Sequence, residues 1–229
     1  MKVLGVIPAR GGSKGVPNKN IKILGEIPLI AFSIREAIKS KLLTKIIVSS
    51  DSTEIIEVAK NYGAEVPFIR PDHLATDSAL SKDVTLHALD YFKKKGEDFD
   101  IVVLLQPTTP FRKATDIDKS IQLIMDGKAD SVFSLVDVGA NHPARMYQID
   151  SEGTPSSLFD EGVAMRPRQE LQSTYIRSGD IYAIKSSVLR ETNSLIGKKP
   201  KALVVEPDLN VNIDSVLDFK IAELKLKEN

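Results

Sequence analysis

The chain has 229 residues, 42% of them hydrophobic and 27% charged, which is enough to bury a core and too apolar for a disordered segment. Its 31 Lys and Arg balance 31 Asp and Glu, which argues against a general nucleic-acid coat, and no apolar run approaches the ~20 residues that span a bilayer. With no cysteine, disulfides, zinc–thiolate sites, iron–sulfur clusters and thiol nucleophiles are excluded, and His73, His87 and His142 show no ligand spacing.

The opening run, residues 2–8, is short, apolar and β-branched and predicts a buried strand. It is too short for a signal peptide's apolar region, so the expectation is a cytoplasmic protein with no membrane partner. A loop rich in Gly, Lys and Asn follows, from Ala9 to Asn20. Residues 28–41 place Ile30, Ile34, Ala37 and Ile38 on one helical face. Residues 45–49 predict the next strand. Asp51 and Glu54 have capping-box spacing and open a helix to about Asn61, which Gly63 stops. A short strand ends near Ile69, and 82–95 predicts a helix with a basic last turn.

Residues 101–105 form the most apolar strand, expected at the centre. A helix is predicted from Thr115 to about Met125 and a strand over 131–135. Alternation in this order predicts a three-layer α/β sandwich with a mainly parallel sheet. The pattern breaks over 138–172, which is rich in Gly and Pro and holds only short strand-like pieces such as Ala144–Ile149. That stretch reads as an inserted arm or lid on a single domain spanning 1–229. Strands return over 180–185 and 202–205. The last helix runs from about Ser215 to Lys227 with Leu217, Ile221 and Leu224 on its apolar side.

Chemistry concentrates in IPARGGSKGVPNKN, residues 7–20. Gly11, Gly12 and Gly15 let backbone N–H groups approach a polyanion beyond a strand's carboxyl end, and Arg10, Lys14 and Lys19 supply three cations. The string is neither GxGxxG nor GxxxxGK[ST], so dinucleotide and Walker readings fail. Further on, LLQPTTPFR (104–112) ends a buried strand in Gln106, and VNIDSVLDF (211–219) puts Asn212 and Asp214 on one side of an extended segment. Two oxygen-bearing side chains there suit Mg²⁺ alongside substrate phosphates, while Asp214 and Ser215 also suit a helix cap.

These strings, in order, resemble the acylneuraminate cytidylyltransferases, which couple CTP to a nine-carbon 2-keto sugar acid. RPDHLATDSALS (70–81) is similar to the family's R-P-x-x-L-A-x-D segment, and MRPRQEL (165–171) to its Q-P-R-Q-x-L. The resemblance implies a Rossmann-like nucleotidyltransferase fold (three layers, α/β/α) with a mixed sheet. The inserted arm then becomes a small dimerisation arm, and the chain a homodimer. It implies that Ala9, Arg10, Gly12, Ser13, Lys14, Asn20, Arg70 and Ser81 bind the nucleotide. Arg10 and Lys19 would balance phosphate charge, Asp214 with Asn212 would hold Mg²⁺, and the backbone near Ala9 would read cytosine.

On the sugar side the resemblance implies Gln106, Arg145, Arg168 and Arg177, with Arg168 on the carboxylate. Arg112 reads as structural. Asn212 stands where the family often has Asp, which weakens the implied metal site; Ser178 stands where the family commonly has Asn, and this altered 175–184 segment leans the substrate toward a bacterial nonulosonic acid such as legionaminic acid. Other readings stay open: a 3-deoxy-octulosonate cytidylyltransferase, a sugar-1-phosphate nucleotidylyltransferase, or a nucleotide-binding sensor without catalysis.

Overall fold

The computed structural model describes residues 1–160 and 165–228. Six strands form one sheet in the order β10-β6-β9-β5-β1-β4. They are β1 (Val3–Pro8), β4 (Lys45–Ser49), β5 (Ile101–Leu104), β6 (Ser131–Asp137), β9 (Tyr175–Lys185) and β10 (Pro200–Val204). β1 pairs in parallel with β4 and β5, and β10 with β6. β9 runs antiparallel to both β5 and β6, which makes the sheet mixed.

Alternation along each strand builds two cores. Val3, Ile7, Ile101, Val103, Ile181 and Ala183 face one layer. That layer consists of α1 (Leu29–Lys39), α2 (Thr53–Asn61) and α4 (Ala114–Met125), which contribute Ile34, Ile55 and Ile121 among others. Leu4, Val6, Val102 and Ile184 face the other side, against Ala88, Leu89 and Phe92 of α3 (Ser81–Lys94) and Leu189 of α5 (Ser186–Thr192). The result is the expected three-layer α/β/α sandwich. No helix among the described residues is long and apolar enough to cross a membrane.

A third cluster closes the carboxyl edge. Val16 of the Gly-rich loop packs with Leu24, Leu29, Val211 and Ile213, and with Phe219 and Ala222 of α6 (Val216–Glu228). The last helix therefore braces the first loop. Leu24 belongs to a small hairpin of β2 (Ile23–Leu24) and β3 (Ile27–Pro28). The insertion contains a second two-stranded ribbon, β7 (Tyr147–Ile149) and β8 (Pro155–Ser157), outside the main sheet.

Several expectations need correction. The buried side of α6 is Phe219 and Ala222, whereas Leu217, Ile221 and Leu224 are exposed. Apolar residues occur all round this helix, so its own pattern does not choose a face, and the cluster around Val16 chooses it instead. Ile38 likewise points away from the α1 core. β9 begins five residues before the predicted 180, because Ser178, Gly179 and Asp180 are buried without being apolar. Residues 143–145 form a 3-10 turn rather than the start of a strand. The cap of α2 is Ser52, whose Oγ accepts the Ile55 N–H at 3.4 Å, not Asp51.

Candidate active site

Beyond the carboxyl ends of β1, β4 and β5 lies a cleft of about 290 Å³, lined by Arg10, Ser13, Lys14, Lys19, Asn20, Arg70, Ser81, Gln106 and Asp214. The position is the one an open α/β sheet offers a ligand. These nine residues, all singled out from the sequence, thus converge from four separate stretches of chain.

The loop is shaped by specific bonds. Asn18 sits in the left-handed region at φ 51°, turning the chain into a 3-10 turn, Lys19–Ile21. Asn20 is buried and its amide donates to the Arg10 carbonyl at 3.0 Å. Asp51, displaced from capping, accepts the Gly11 N–H at 3.1 Å. Gly15 has a packing role that the sequence reading missed. A Cβ there would collide with the main-chain carbonyl oxygen of Asp214, so only glycine lets the loop lie against the last segment.

Lys19 is the innermost of the loop's cations. Its Nζ donates to the Ile213 carbonyl at 2.6 Å and to Asp214 Oδ1 at 3.1 Å. Asp214 Oδ2 accepts from the Asn212 amide at 3.0 Å. Residues 211–214 are not in a strand, yet they alternate as one: Val211 and Ile213 are buried, Asn212 and Asp214 exposed. The Ile213 N–H donates to the Thr108 carbonyl at 2.8 Å, which ties this segment to the turn after Gln106.

Helix capping falls to Ser215 and Asp218. The Ser215 N–H and Oγ donate to Asp218 Oδ2 at 2.7 and 2.8 Å, and the Asp218 N–H returns to Ser215 Oγ at 3.3 Å. These bonds, Ser215's Oγ–H first, hold the Asp218 carboxyl below the usual range. Asp214 is thereby spared for the cleft. Asp214 would offer Mg²⁺ a carboxylate oxygen in place of its bond to Lys19 or to Asn212, and Asn212, whose NH2 meets Asp214 here, would offer its amide oxygen only after turning over, with phosphate and water completing the set. No cluster of three His, Cys, Asp or Glu able to hold a metal occurs among the described residues.

One acidic residue in the cleft lies in the 70–81 loop, where the sequence offers Thr76, Asp77, Ser78 and Ser81 as possible helix caps. Asp77 forms ion pairs with both Arg10 and Lys14, bridging the first loop to the loop before α3. Those pairs, Lys14's first, lower its pKa. None of Thr76, Asp77, Ser78 or Ser81 caps α3, whose N-cap is Leu80 without a side-chain bond.

Arg70 is buried and gripped from below. Its Nε donates to Ser49 Oγ at 3.1 Å and another guanidinium N–H donates to the Ser49 carbonyl. Burial brings its pKa down to about 10, so it is still a cation at neutral pH. Gln106 is fixed through its own carbonyl, which accepts from Arg112 at 2.6 Å. Gly179, at φ +84°, leaves its Cβ position 3.0 Å from Gln106 Oε1 and allows the strand to pass.

A second chamber of about 290 Å³ adjoins the cleft and shares Ser81 and Gln106 with it. Arg177, Tyr182, Lys82 and the turn Asn193–Ile196 line it. Burial raises the Tyr182 pKa, so its phenol stays protonated.

Among the described residues, Ala9, Gly12, Arg145 and Asn212 do not line these cavities. Ala9 is buried, and its N–H donates to the Ser49 carbonyl at 2.9 Å, so that N–H is spent on the sheet and does not face a base. Gly12 does not line the cleft, and nothing lies within 4 Å of its Cβ position. Arg145 sits at the end of the 3-10 turn Pro143–Arg145 in the insertion and lines neither cavity. Arg168 falls in the turn Arg168–Glu170, and its side chain lies outside the described residues.

The family described as cytidylyltransferase matches residues 4–195. The chain is 34% identical, over all of its length and 98% of the relative's, to the CMP-N,N'-diacetyllegionaminic acid synthase of Legionella pneumophila. It is 32% identical over 96% of its length to the N-acylneuraminate cytidylyltransferase of Escherichia coli, of which it spans 51%. The fold is similar, with a TM-score of 0.72 at 17% identity and full coverage of both chains, to that of a CMP:2-keto-3-deoxy-manno-octonic acid synthetase solved with CTP.

Proposed function

The chain belongs to the cytidylyltransferase family, and from that premise we propose that it transfers CMP from CTP to the anomeric hydroxyl of a nine-carbon 2-keto sugar acid of sialic or legionaminic type. The observation that carries this reading is the pair of chambers meeting at Ser81 and Gln106. One gathers Arg10, Lys14 and Lys19 for a triphosphate, and the other presents Arg177 and Tyr182 for an acidic acceptor.

The anomeric oxygen attacks the α-phosphorus. The bond from that phosphorus to the oxygen of the β-phosphate breaks, pyrophosphate leaves, and the hydroxyl proton passes to solvent. The protein's part is alignment and charge neutralisation. Lys19, anchored beside Asp214, faces the α-phosphate, and Arg10 and Lys14 face the departing phosphates. Asp214, with Asn212, would hold a Mg²⁺ ion, which would supply neutralisation of phosphate charge and a lower pKa for the attacking hydroxyl. Pro8, Leu74, Ala79 and Val84 offer an apolar shelf for the pyrimidine ring.

The insertion is read as the seam of a homodimer. Met146, Ile149, Leu158, Phe159 and Met165 are exposed there, more apolar surface than a solvated loop carries without a partner. Arg145 and Arg168 are then set to serve the partner's acceptor chamber.

The test is pyrophosphate release with CTP and Mg²⁺ across N-acetylneuraminic, legionaminic, pseudaminic and 3-deoxy-octulosonic acids, with ATP, GTP and UTP as controls. CTP-dependent turnover with a nine-carbon acid is expected. Turnover with the octulosonic acid alone moves the chain to that branch, and CTP binding without turnover makes it a sensor.

A further inference from the structure

We propose that Lys82 determines acceptor specificity by donating to the carbonyl of an acylamino substituent on the sugar acid; this rests on the acceptor chamber assigned above. Lys82 is the second residue of α3, directly after Ser81, and its side chain is only 22% exposed. Its Nζ donates to Asp83 Oδ1 and to Asn193 Oδ1, both at 2.9 Å. An ammonium has three N–H donors. Two are used, and among the described residues the third has no protein acceptor.

The setting of that third donor defines what it recognises. Leu80, Leu195 and Ile196 present hydrocarbon on the same chamber wall. A hydroxyl substituent has one polar atom and nothing to bury there. An acylamino group has a methyl for the hydrocarbon and a carbonyl oxygen for the ammonium, so both parts of the wall are used. Arg177, on the same chamber, suits the acceptor's carboxylate better, because a guanidinium fork matches two oxygens where an ammonium is a point donor.

Asn193 makes the ammonium's position definite. It closes α5 in the left-handed region at φ 50°, with its N–H donating to the Leu189 carbonyl at 2.9 Å. Its side-chain oxygen is thus held by a helix end, and Lys82 is held by it across the gap between α3 and α5. The nucleotide-contacting Ser81 and the substituent-reading Lys82 are adjacent in the chain. Recognition of the acceptor's substituent is therefore registered against the α-phosphate with little slack.

The experiment compares two nine-carbon 2-keto acids on the same skeleton: N-acetylneuraminic acid, with its acetamido group, and its deaminated counterpart bearing a hydroxyl there. The wild type, Lys82→Met and Asn193→Gly are assayed for kcat/KM by pyrophosphate release, with CTP affinity measured by calorimetry. Lys82→Met is expected to lower the ratio of acetamido to hydroxyl acceptor by about tenfold or more, through KM for the sugar. Asn193→Gly keeps the left-handed turn and removes the carboxamide that holds Lys82 while leaving the ammonium in place, so it lowers the ratio less. An unchanged ratio in Lys82→Met with CTP affinity intact overturns the assignment. If Lys82→Met loses CTP binding, an unchanged ratio in Asn193→Gly overturns it instead. Absence of wild-type turnover on every 2-keto acid overturns the reaction itself, a result visible before any variant is compared.

Discussion

Lys19 Nζ lies 3.1 Å from Asp214 Oδ1, so a cation from the first loop and a carboxylate from the last extended segment meet across 195 residues of sequence. The lysine is mostly shielded, its side chain 13% exposed, while Asp214 faces the cleft. In the proposed reaction this pair makes the α-phosphate end of the site. Lys19→Ala is expected to reduce kcat/KM for CTP by about 10²–10³, the usual cost of removing one preorganised donor. Asp214→Asn should be similar, and the double variant much less than the product of the two, because the residues act as a unit. A folded Lys19→Ala enzyme with full activity would remove the loop from the chemistry.

Asp77 holds the place that the triphosphate takes in the proposed reaction. It bridges Arg10 and Lys14, both of which face the phosphates in the proposed reaction. The folded pKa is depressed, so the carboxylate is charged above the ordinary aspartate range and its pairing is lost only as pH falls through the lower folded value. Competition with the nucleotide is therefore constant across neutral pH. Asp77→Asn is expected to tighten CTP several-fold in calorimetry, with no dependence on pH between 6 and 8. Weaker binding would mean that Asp77 positions the two cations rather than competing for them.

Arg112 shows how the fold aims Gln106. The side chain is buried and donates to the Asp180 carbonyl at 2.6 Å, Ser33 Oγ at 2.9 Å, the Gln106 carbonyl at 2.6 Å and Thr109 Oγ1 at 2.9 Å. Burial lowers its pKa to about 10, leaving it charged at neutral pH, with Asp180 opposing that fall. Arg112→Met strands four acceptors and is expected to cost ~3–5 kcal/mol in denaturant unfolding. Arg112→Lys cannot reach all four and should recover only part of that loss. Stability equal to the wild type in Arg112→Met would show that water replaces the guanidinium.

Much of the fold was legible because its strands are apolar runs. Residues 2–8, 45–49, 101–105 and 131–135 all became buried strands of one sheet. The start of β9 was not legible, since Ser178 and Asp180 are buried inside a strand while reading as loop residues. The face of α6 was misread for the converse reason, an excess of apolar residues. In the site, the glycines and cations of 9–20 were conspicuous in sequence. Asp77 was not, because an aspartate in a loop has no periodicity, and its partners are chosen by the tertiary fold. The clash that fixes Gly15 against Asp214 has no local signal either.

His87 gives an acid-side test of stability. Burial lowers its pKa, and its ring packs edge-on to Phe68 with centroids 4.6 Å apart. A base depressed in the fold stabilises fully above its unfolded value of about 6.5, and that part is lost as pH falls toward the lower folded value. The melting temperature should therefore decline as pH drops from 7.5 to 5.5. His87→Phe keeps the aromatic contact and removes the titration, so its decline should be shallower. Parallel curves for the two proteins would assign the acid sensitivity elsewhere.

The insertion provides the test of assembly. Ile149 is 72% exposed and Phe159 52%, and neither belongs to the clusters that pack the main sheet. Placing Asp at both positions should leave the fold's core intact, with an unchanged far-ultraviolet circular dichroism spectrum. If these side chains form the seam between copies, light scattering gives a dimer for the wild type and a monomer for the double variant, since two buried charges oppose association. Because Arg145 lines neither cavity of its own chain, loss of the partner should raise KM for the sugar acid and leave CTP affinity unchanged. A wild-type monomer with full activity would leave the exposed residues of the arm without this role. It would also return the acceptor's carboxylate to Arg177 alone.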